Sequence, residues 1–468
     1  MARGGLTVTA REDHYDVIIV GAGPAGIFAA LELTKLRPDA SILIVERGHD
    51  LPRRTCPMQD TGTCAHCRPC SIVSGWGGAG AFSDGKLTLT TEFGGSLSEY
   101  MPESELADLI DYCDGWYLRF GASREVYGGD EDVERDLRRR AAAADLIFVP
   151  ARIRHLGTER CAAILGEARE YLRDRIDVTF DSEAEGVQVV DGNVRGVIVD
   201  GRPIAARRVI LAPGRSGAEW VEIEARRLGI LGKSSPVDVG VRVEVPALVT
   251  EEITEKVYES KLLYYSKSFD DRVRTFCMCP HGEVTVENLG DLVTVNGHSY
   301  HDRATDNTNF ALLVSKSFTE PFDQPNRYGR NIASLANMLG GGVLVQRLGD
   351  LLAGRRSNDH RLARGIVRPT LAEATPGDLS LVLPYRQLLG ILEMLEALDI
   401  LMPGVNSRHT LLYGVEVKFY SSRIKVDEHM QTPVAGLFAS GDGAGITHGL
   451  AQSSASGVRA ARQIAKEL

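Results

Sequence analysis

Residues 15–20 form a short β-branched apolar run, followed at once by Gly21, Ala22, Gly23, Pro24, Ala25 and Gly26. Over 27–36, Ile27, Ala30, Leu31 and Leu33 line up at helical spacing among good helix formers, and Pro38 stops the pattern. A second apolar run at 41–46 completes a strand, loop, helix and strand that ends on Glu46. Short runs at 187–190 and 194–199, with Asp-Gly turns at 191–192 and 200–201, predict a β-meander. An apolar strand at 209–214 ends in Ala212, Pro213 and Gly214. Near the end of the chain, 436–442 predicts a strand closing on Gly441 and Asp442, and about 450–468 predicts a helix. Between these parts, 235–407 reads as mixed strands and helices, with strands near 237–245, 273–278, 284–287 and 292–296 and a helix at 343–352.

The opening pattern carries chemistry because each glycine has a separate task. Gly21 permits the tight turn, Gly23 lets the backbone approach a pyrophosphate, and Gly26 lets the helix pack closely on the strand. The first helical turn, with Pro24 and Ala25, presents free N–H groups and the positive end of the helix dipole to phosphates. Glu46, twenty residues beyond Gly26, is placed to accept hydrogen bonds from an adenosine ribose, with Arg47 beside it. The acid favours an unphosphorylated ribose, hence NAD or FAD.

Gly441 and Asp442 at a strand end, followed by a helix, resemble the second flavin fingerprint of the FAD-dependent oxidoreductases related in fold to glutathione reductase and the aromatic hydroxylases. The resemblance implies that Asp442 hydrogen-bonds the ribitol chain and that the helix beyond His448, Gly449, Leu450 and Ala451 points its N-terminus at the flavin pyrimidine. It also implies that Ala212 and Gly214 mark the return to the nucleotide domain, with Ala184 facing the adenine.

A second glycine cluster, Gly75 to Gly80, also fits the dinucleotide spacing, but residues 81–90 alternate toward a strand rather than a helix and no acid follows at the right distance. It is read as a flavin-side contact through Gly77, Gly78, Ala79 and Asp84. The string Cys64, Ala65, His66, Cys67, Arg68, Pro69, Cys70 running into 74–87 resembles the bacterial family of uncharacterised FAD-dependent dehydrogenases. Segments at 154–158, 276–280, 295–299 and 329–331 extend the likeness over most of the chain. His281 departs from that family's pattern, where a glycine is expected. The resemblance names a cofactor and a reaction class but no substrate.

The fold expected is α/β: a Rossmann-type FAD-binding domain assembled from discontinuous segments, with an inserted α+β substrate domain. Residues 1–13 are assigned to a flexible tail, 14–234 and 408–468 to the FAD-binding domain, including a cysteine- and glycine-rich flavin loop at 50–100, and 235–407 to the substrate domain. The isoalloxazine is expected between the two lobes.

Cys56, Cys64, Cys67 and Cys70 fall within fifteen residues, a spacing that suits an iron-sulfur cluster, a tetrahedral zinc, redox thiols beside the flavin, or simple packing. Packing is favoured over metal. Cys113 and Cys161 sit on apolar helix faces and are assigned to the core. Cys277 and Cys279 alternate along a strand and so are expected to share a face, with Met278 opposite. Candidate acid, base or thiol groups are Cys279, His281, Tyr264, Tyr265, His298 and His301 in the inserted region, with Lys86 and His448 from the nucleotide side. Gly340 to Gly342 are read as a turn, and Arg355 and Arg356 as a solvated pair.

A net charge of -10 argues against a nucleic-acid partner, since phosphate contacts require clustered Lys and Arg. Residues 1–14 have no continuous apolar core and no later run resembles a membrane span, so a cytoplasmic location is expected. The reading is an FAD-dependent dehydrogenase or reductase exchanging a hydride with a small organic substrate. The alternatives are a monooxygenase and a non-redox flavoprotein, either an isomerase or cyclase or a redox sensor. Only one dinucleotide unit is present, so electrons would come from NAD(P)H bound without its own domain or from a partner such as ferredoxin.

Overall fold

The computed structural model describes residues 14–57, 65, 67–82, 85–233, 235–257, 259–289, 292–299, 304–322, 324–420 and 422–468. The tail at 1–13, Cys64, Asp84 and His301 lie outside the described residues. The chain divides into two compact units, one made of 1–125, 154–235 and 421–468, the other of 126–153 and 236–420.

The first unit is built on a sheet with the parallel order Asp177–Thr179, Ile42–Val45, His14–Val20, Arg202–Leu211, Leu437–Ala439. Arg202–Leu211 is long enough to serve two purposes. Its first half pairs antiparallel with Asn193–Val199, extending the sheet through Ala184–Val190, while its last three residues pair with Leu437–Ala439. The central strands are apolar on both faces, as parallel strands covered on both sides must be; Val17, Ile18, Ile19, Ile42 to Val45 and Val209 to Leu211 are buried. Pro24–Leu36 and Leu450–Glu467 pack against each other at very close range, and Gly457 makes that approach possible: a Cβ there would lie 2.0 Å from the Ala25 carbonyl oxygen. Glu103–Arg119 and Thr158–Leu172 bury Cys113 and Cys161, as their helical spacing implied.

The second unit is an eight-stranded sheet in the order Thr375–Pro376, Leu344–Arg347, Leu411–Lys418, Val237–Pro246, Asn307–Lys316, Arg272–Cys279, Lys261–Tyr265, Ile147–Val149. Its apolar face, carrying Val237, Val239, Val241, Val243, Val245, Phe310, Leu312 and Val314, packs with Ile332, Ile391, Met394 and Leu398 of the helices Pro325–Gly340 and Tyr385–Leu401. The alternate positions of Val237–Pro246 are polar, a pattern that ordinarily marks a wet face, yet Asp238, Arg242 and Glu244 are all buried. Each has polar partners: Asp238 Oδ2 accepts from Arg274 and Tyr420, Arg242 donates to Glu416 and Asn309, and Glu244 accepts from Thr370, Tyr413 and Asn307.

Three differences from the sequence reading have local causes. The segment at 343–352 is a strand, Leu344–Arg347, followed by a single-turn helix, Leu348–Leu352, because the first half is claimed by pairing with Leu411–Lys418. Residues 126–153 and 408–420 pack in the second unit, since Ile147–Val149 and Leu411–Lys418 are strands of its sheet. The alternation at Cys277 to Cys279 is broken by a bulge in the pairing of Arg272–Cys279 with Asn307–Lys316; Cys277 sits at φ 46 and Met278, like Cys279, is fully buried. As read, Gly340 to Gly342 turn the chain at a helix end, with Gly341 at φ 68 as the left-handed cap, and Arg355 and Arg356 are exposed, Arg355 Nε also lying 3.0 Å from Asp350 Oδ1. Among the described residues no helix is long and apolar enough to cross a membrane.

Gly457→Val drives a branched side chain into the Ala25 carbonyl, where both sides of the contact are helix backbone. We expect a loss of at least about 2 kcal/mol in the unfolding free energy of this unit, read as a lowered denaturant midpoint; an unchanged midpoint would mean the helices are less tightly docked than described.

Candidate functional site

The carboxyl ends of the parallel strands in the first unit carry every glycine that the opening pattern singled out. The ends are knitted in sequence: Gly21 N–H donates to Val45 O at 2.8 Å, Ala212 N–H to Val20 O at 2.8 Å, and Ser440 N–H to Leu211 O at 2.9 Å. Gly21 stands at φ 105 with a hypothetical Cβ 2.3 Å from the Ala212 carbonyl oxygen, and a Cβ on Gly26 would lie 2.0 Å from the Gly21 carbonyl. Those two positions exclude side chains because of the protein itself. Gly23 differs: its backbone is ordinary and a Cβ would meet nothing within 4 Å; a Cβ would also meet nothing within 4 Å at Gly449 and at Gly214, although Gly214 stands at φ 66.

Two helices begin at this edge, Pro24–Leu36 behind Gly23 and Leu450–Glu467 behind Gly449. Neither has a side-chain cap and neither has an acidic residue in its first turn. Their N-terminal N–H groups and dipoles therefore favour an anion, by up to about 2 kcal/mol per helix when partly buried. Leu450 is half-buried and Ala451 buried in that first turn. Pro24, Gly80, Tyr117, Leu165 and Leu450 line an apolar recess.

Glu46 is buried and its carboxylate is occupied by backbone. One oxygen accepts from Ala22 N–H at 2.8 Å, the other from Gly48 N–H at 2.8 Å and Gly75 N–H at 2.9 Å. A carboxylate has about four acceptor positions, so one is left beyond these three bonds. Arg47 reaches Ser74 Oγ and the Ser216 carbonyl. The second glycine cluster docks directly on the first: Gly77 N–H donates to Ala22 O at 2.7 Å, and Gly78 approaches so closely that its Cβ would be 3.2 Å from Gly23 Cα. Ala79 lies in the tight turn Gly78–Phe82.

The residue that shapes this second loop was not evident in the sequence. Arg54 is buried and donates to four carbonyls, those of Ser71 at 2.9 Å, Trp76 at 2.5 Å, Ile72 at 2.9 Å and Gly78 at 2.9 Å, with its guanidinium over the Phe82 ring. Burial pulls its pKa down to about 10, opposed by the nearby Glu46 carboxylate. Nothing in its immediate neighbours marks it, because its partners lie 17 to 24 residues away.

Asp442 is about one-fifth exposed and accepts from Thr447 Oγ at 2.7 Å, with Arg215 Nε 3.8 Å from its other oxygen. Burial pushes its carboxyl above the usual range, while Arg215, the Thr447 hydroxyl and the Gly449 N–H act in the opposite sense. Ala184 begins the outer strand of the meander and is buried. Lys86 is half-buried in the short strand Lys86–Thr88, and the exposed His448 is anchored by its backbone N–H to Gly94 O.

Of the second-unit candidates, Tyr264 is core, Tyr265 is exposed, and His281 is exposed with Nδ1 3.0 Å from the Thr305 carbonyl. Cys279 is fully buried and His298 half-buried. Cys56 is half-buried and Cys67 and Cys70 are exposed; among the described residues no group of three or more His, Cys, Asp or Glu side chains is arranged to hold a metal ion.

Residues 15–236 match the family described as pyridine nucleotide-disulphide oxidoreductase, and residues 236–419 match the family described as FAD-dependent protein, C-terminal domain-like. Joined to an α/β fold with a glycine-lined crest, these matches define a flavoprotein, an oxidoreductase that uses FAD. The chain thus resembles a pyridine nucleotide-disulphide oxidoreductase over its first part and an FAD-dependent C-terminal lobe over the part that follows. It is 29% identical over 476 residues to an uncharacterized protein of Clostridium beijerinckii, covering 96% of this chain and 80% of that one. Among solved structures it overlaps glycine oxidase from Geobacillus kaustophilus (15% identity, 97% of this chain and 95% of that one, TM-score 0.40) and L-proline dehydrogenase from P. horikoshii (11%, 97% and 94%, 0.43). Overlaps this loose carry no information on substrate.

The open space at Gly23, the uncapped helices and the remaining acceptor of Glu46 fit the pyrophosphate and ribose of FAD, and Asp442 fits a polyol. We expect Gly23→Val to fold, since a Cβ there meets nothing within 4 Å, but to lose bound FAD. Asp442→Ala should retain FAD more weakly. Flavin-to-protein ratios after gel filtration, with circular dichroism as the folding check, measure both; normal occupancy in Gly23→Val would overturn the loop assignment.

Proposed function

We propose that the chain is a dehydrogenase or reductase that exchanges a hydride between FAD and a small organic substrate. The observation that supports this most is the uncapped N-terminus of Leu450–Glu467, with Gly449 open and Asp442 beside it. When bound, FAD supplies the two-electron chemistry, and the protein's part is to orient it and to tune the charge around it.

The residues divide that work. Gly21, Gly23, Gly26 and the first turn of Pro24–Leu36 receive the pyrophosphate, and the last acceptor position of Glu46 takes a ribose hydroxyl, with Arg47 alongside. Gly77, Gly78 and Ala79 pass the backbone close to the cofactor, while Ala184, Ala212 and Gly214 border its adenosine side. Asp442 orients the polyol, and Thr447 and Arg215 hold the Asp442 carboxylate in place. Gly449, Leu450 and Ala451 form the positive helix end that favours negative charge on the reduced cofactor. Cys279, His281, His448 and Lys86 remain the candidate proton-handling or thiol groups for the substrate side. Electrons come from or go to an outside partner, NAD(P)H or a protein such as ferredoxin, since a single dinucleotide-binding unit is present in the sequence.

Purified holoprotein, mixed anaerobically with NADH, NADPH or a trial substrate, is expected to lose its visible flavin absorption without oxygen being supplied. A product at the same oxidation level as its substrate, with no net change in flavin, would sink the dehydrogenase reading.

A further inference from the structure

The second unit holds a pair of thiols, of which the flavin reading names Cys279 as a candidate and gives Cys277 no role. Cys277 and Cys279 bring their sulfurs to 3.9 Å, and neither is in a disulfide. A regular strand does not do this. Residues two apart are separated by about 6.6–6.8 Å between Cα atoms, with nearly parallel side chains, whereas a disulfide wants Cβ atoms about 3.8 Å apart. The bulge between Phe276 and Cys279 removes the obstacle, and it places Cys277 at φ 46, a left-handed conformation that a cysteine rarely adopts.

The surroundings are built for sulfur chemistry. Arg242 is fully buried and directs one guanidinium nitrogen at both the Cys279 sulfur, at 3.3 Å, and the Cys277 carbonyl, at 2.6 Å. Its other nitrogens are fixed by Asn309 Oδ1 at 2.8 Å and by the buried Glu416 carboxylate at 3.3 Å. Gly297 leaves the space the guanidinium occupies, since a Cβ there would lie 1.9 Å from it. A fixed cation donating to sulfur stabilises the anionic form in which thiols react. The two cysteines also differ in access: Cys277 is half-buried and Cys279 fully buried.

We propose that Cys277 and Cys279 form a thiol-disulfide exchange site whose substrates are small-molecule disulfides. The Cys277 thiolate attacks one sulfur of the disulfide, forming a mixed disulfide and releasing one thiolate. The Cys279 thiolate then attacks the Cys277 sulfur, forming the Cys277–Cys279 bond and releasing the second thiolate. Two electrons pass from the pair to the incoming disulfide, and the two thiol protons end, through solvent, on the released thiols. Arg242 is a positioning residue that holds Cys279 ready for the second step. This chemistry is independent of the flavin and stands or falls separately from the proposal above.

The sequence makes the test direct, because trypsin cleavage after Arg274 and Arg303 gives a peptide, 275–303, containing these two cysteines and no others. Holoprotein incubated with glutathione disulfide, denatured, alkylated and digested should lose both labels on this peptide and regain both after reduction with dithiothreitol. In Cys279→Ser, confirmed folded by its flavin content, glutathione should be trapped on Cys277; in Cys277→Ser the buried Cys279 should carry no adduct. Full labelling of the wild-type peptide after glutathione disulfide, or a glutathione adduct on wild-type Cys277 with Cys279 still labelled, would overturn the proposal and leave the pair as packing.

Discussion

The carboxylate of Glu46 is the point on which the first unit turns. Three backbone N–H groups from three separate loops, those of Ala22, Gly48 and Gly75, converge on one buried side chain. Hydrogen bonds to a charged acceptor contribute roughly 1.5–3 kcal/mol each, and here they fasten the three loops together alongside the backbone bonds from Gly77 N–H to Ala22 O and from Trp76 N–H to His49 O. The phosphate loop is thereby fixed relative to the second strand end, and the second glycine cluster is fixed relative to both. Arg54 completes the arrangement from the far side by gathering the carbonyls of the same cluster. An acid collecting N–H groups and a cation collecting C=O groups hold an irregular backbone as firmly as a sheet would.

This explains how a loop with little secondary structure of its own presents a defined surface. Gly78 lies against Gly23 with no side chain between them, while the bare Cα of Gly77 leaves room for Leu165, whose Cδ1 would lie 2.5 Å from a Cβ there. The space left beside Gly23 is then a consequence of rigidity rather than of looseness.

What the sequence revealed followed from residue types with few physical alternatives. Glycine at positive φ or under a carbonyl is irreplaceable, so Gly21 and Gly26 announce themselves, and the Gly-Asp turn at 441–442 does the same at a strand end. Buried strands with β-branched runs were also readable. Arg54 was not, because an arginine that serves carbonyls 17 to 24 residues away leaves no local signature. The segment at 343–352 misled because its apolar spacing suits a helix while its first half is taken by pairing with a strand almost 70 residues on. At Cys277 the period-two rule failed at a bulge, and nothing in the neighbouring residues requires one. The buried polar face of Val237–Pro246 is a further case: alternation tells which residues share a side, but not whether that side meets water.

The close docking of Pro24–Leu36 on Leu450–Glu467 joins one of the first helices of the chain to its last, at the contact between Ala25 and Gly457. During synthesis the phosphate loop therefore leaves the ribosome hundreds of residues before the strand and helix that complete its surroundings. The intervening second unit has time to fold by itself, while the first unit waits with an exposed parallel strand edge at Arg202–Leu211 until Leu437–Ala439 arrives to cover it. The surface beside Gly23 is then complete only once the strand Leu437–Ala439 and the helix behind it have docked.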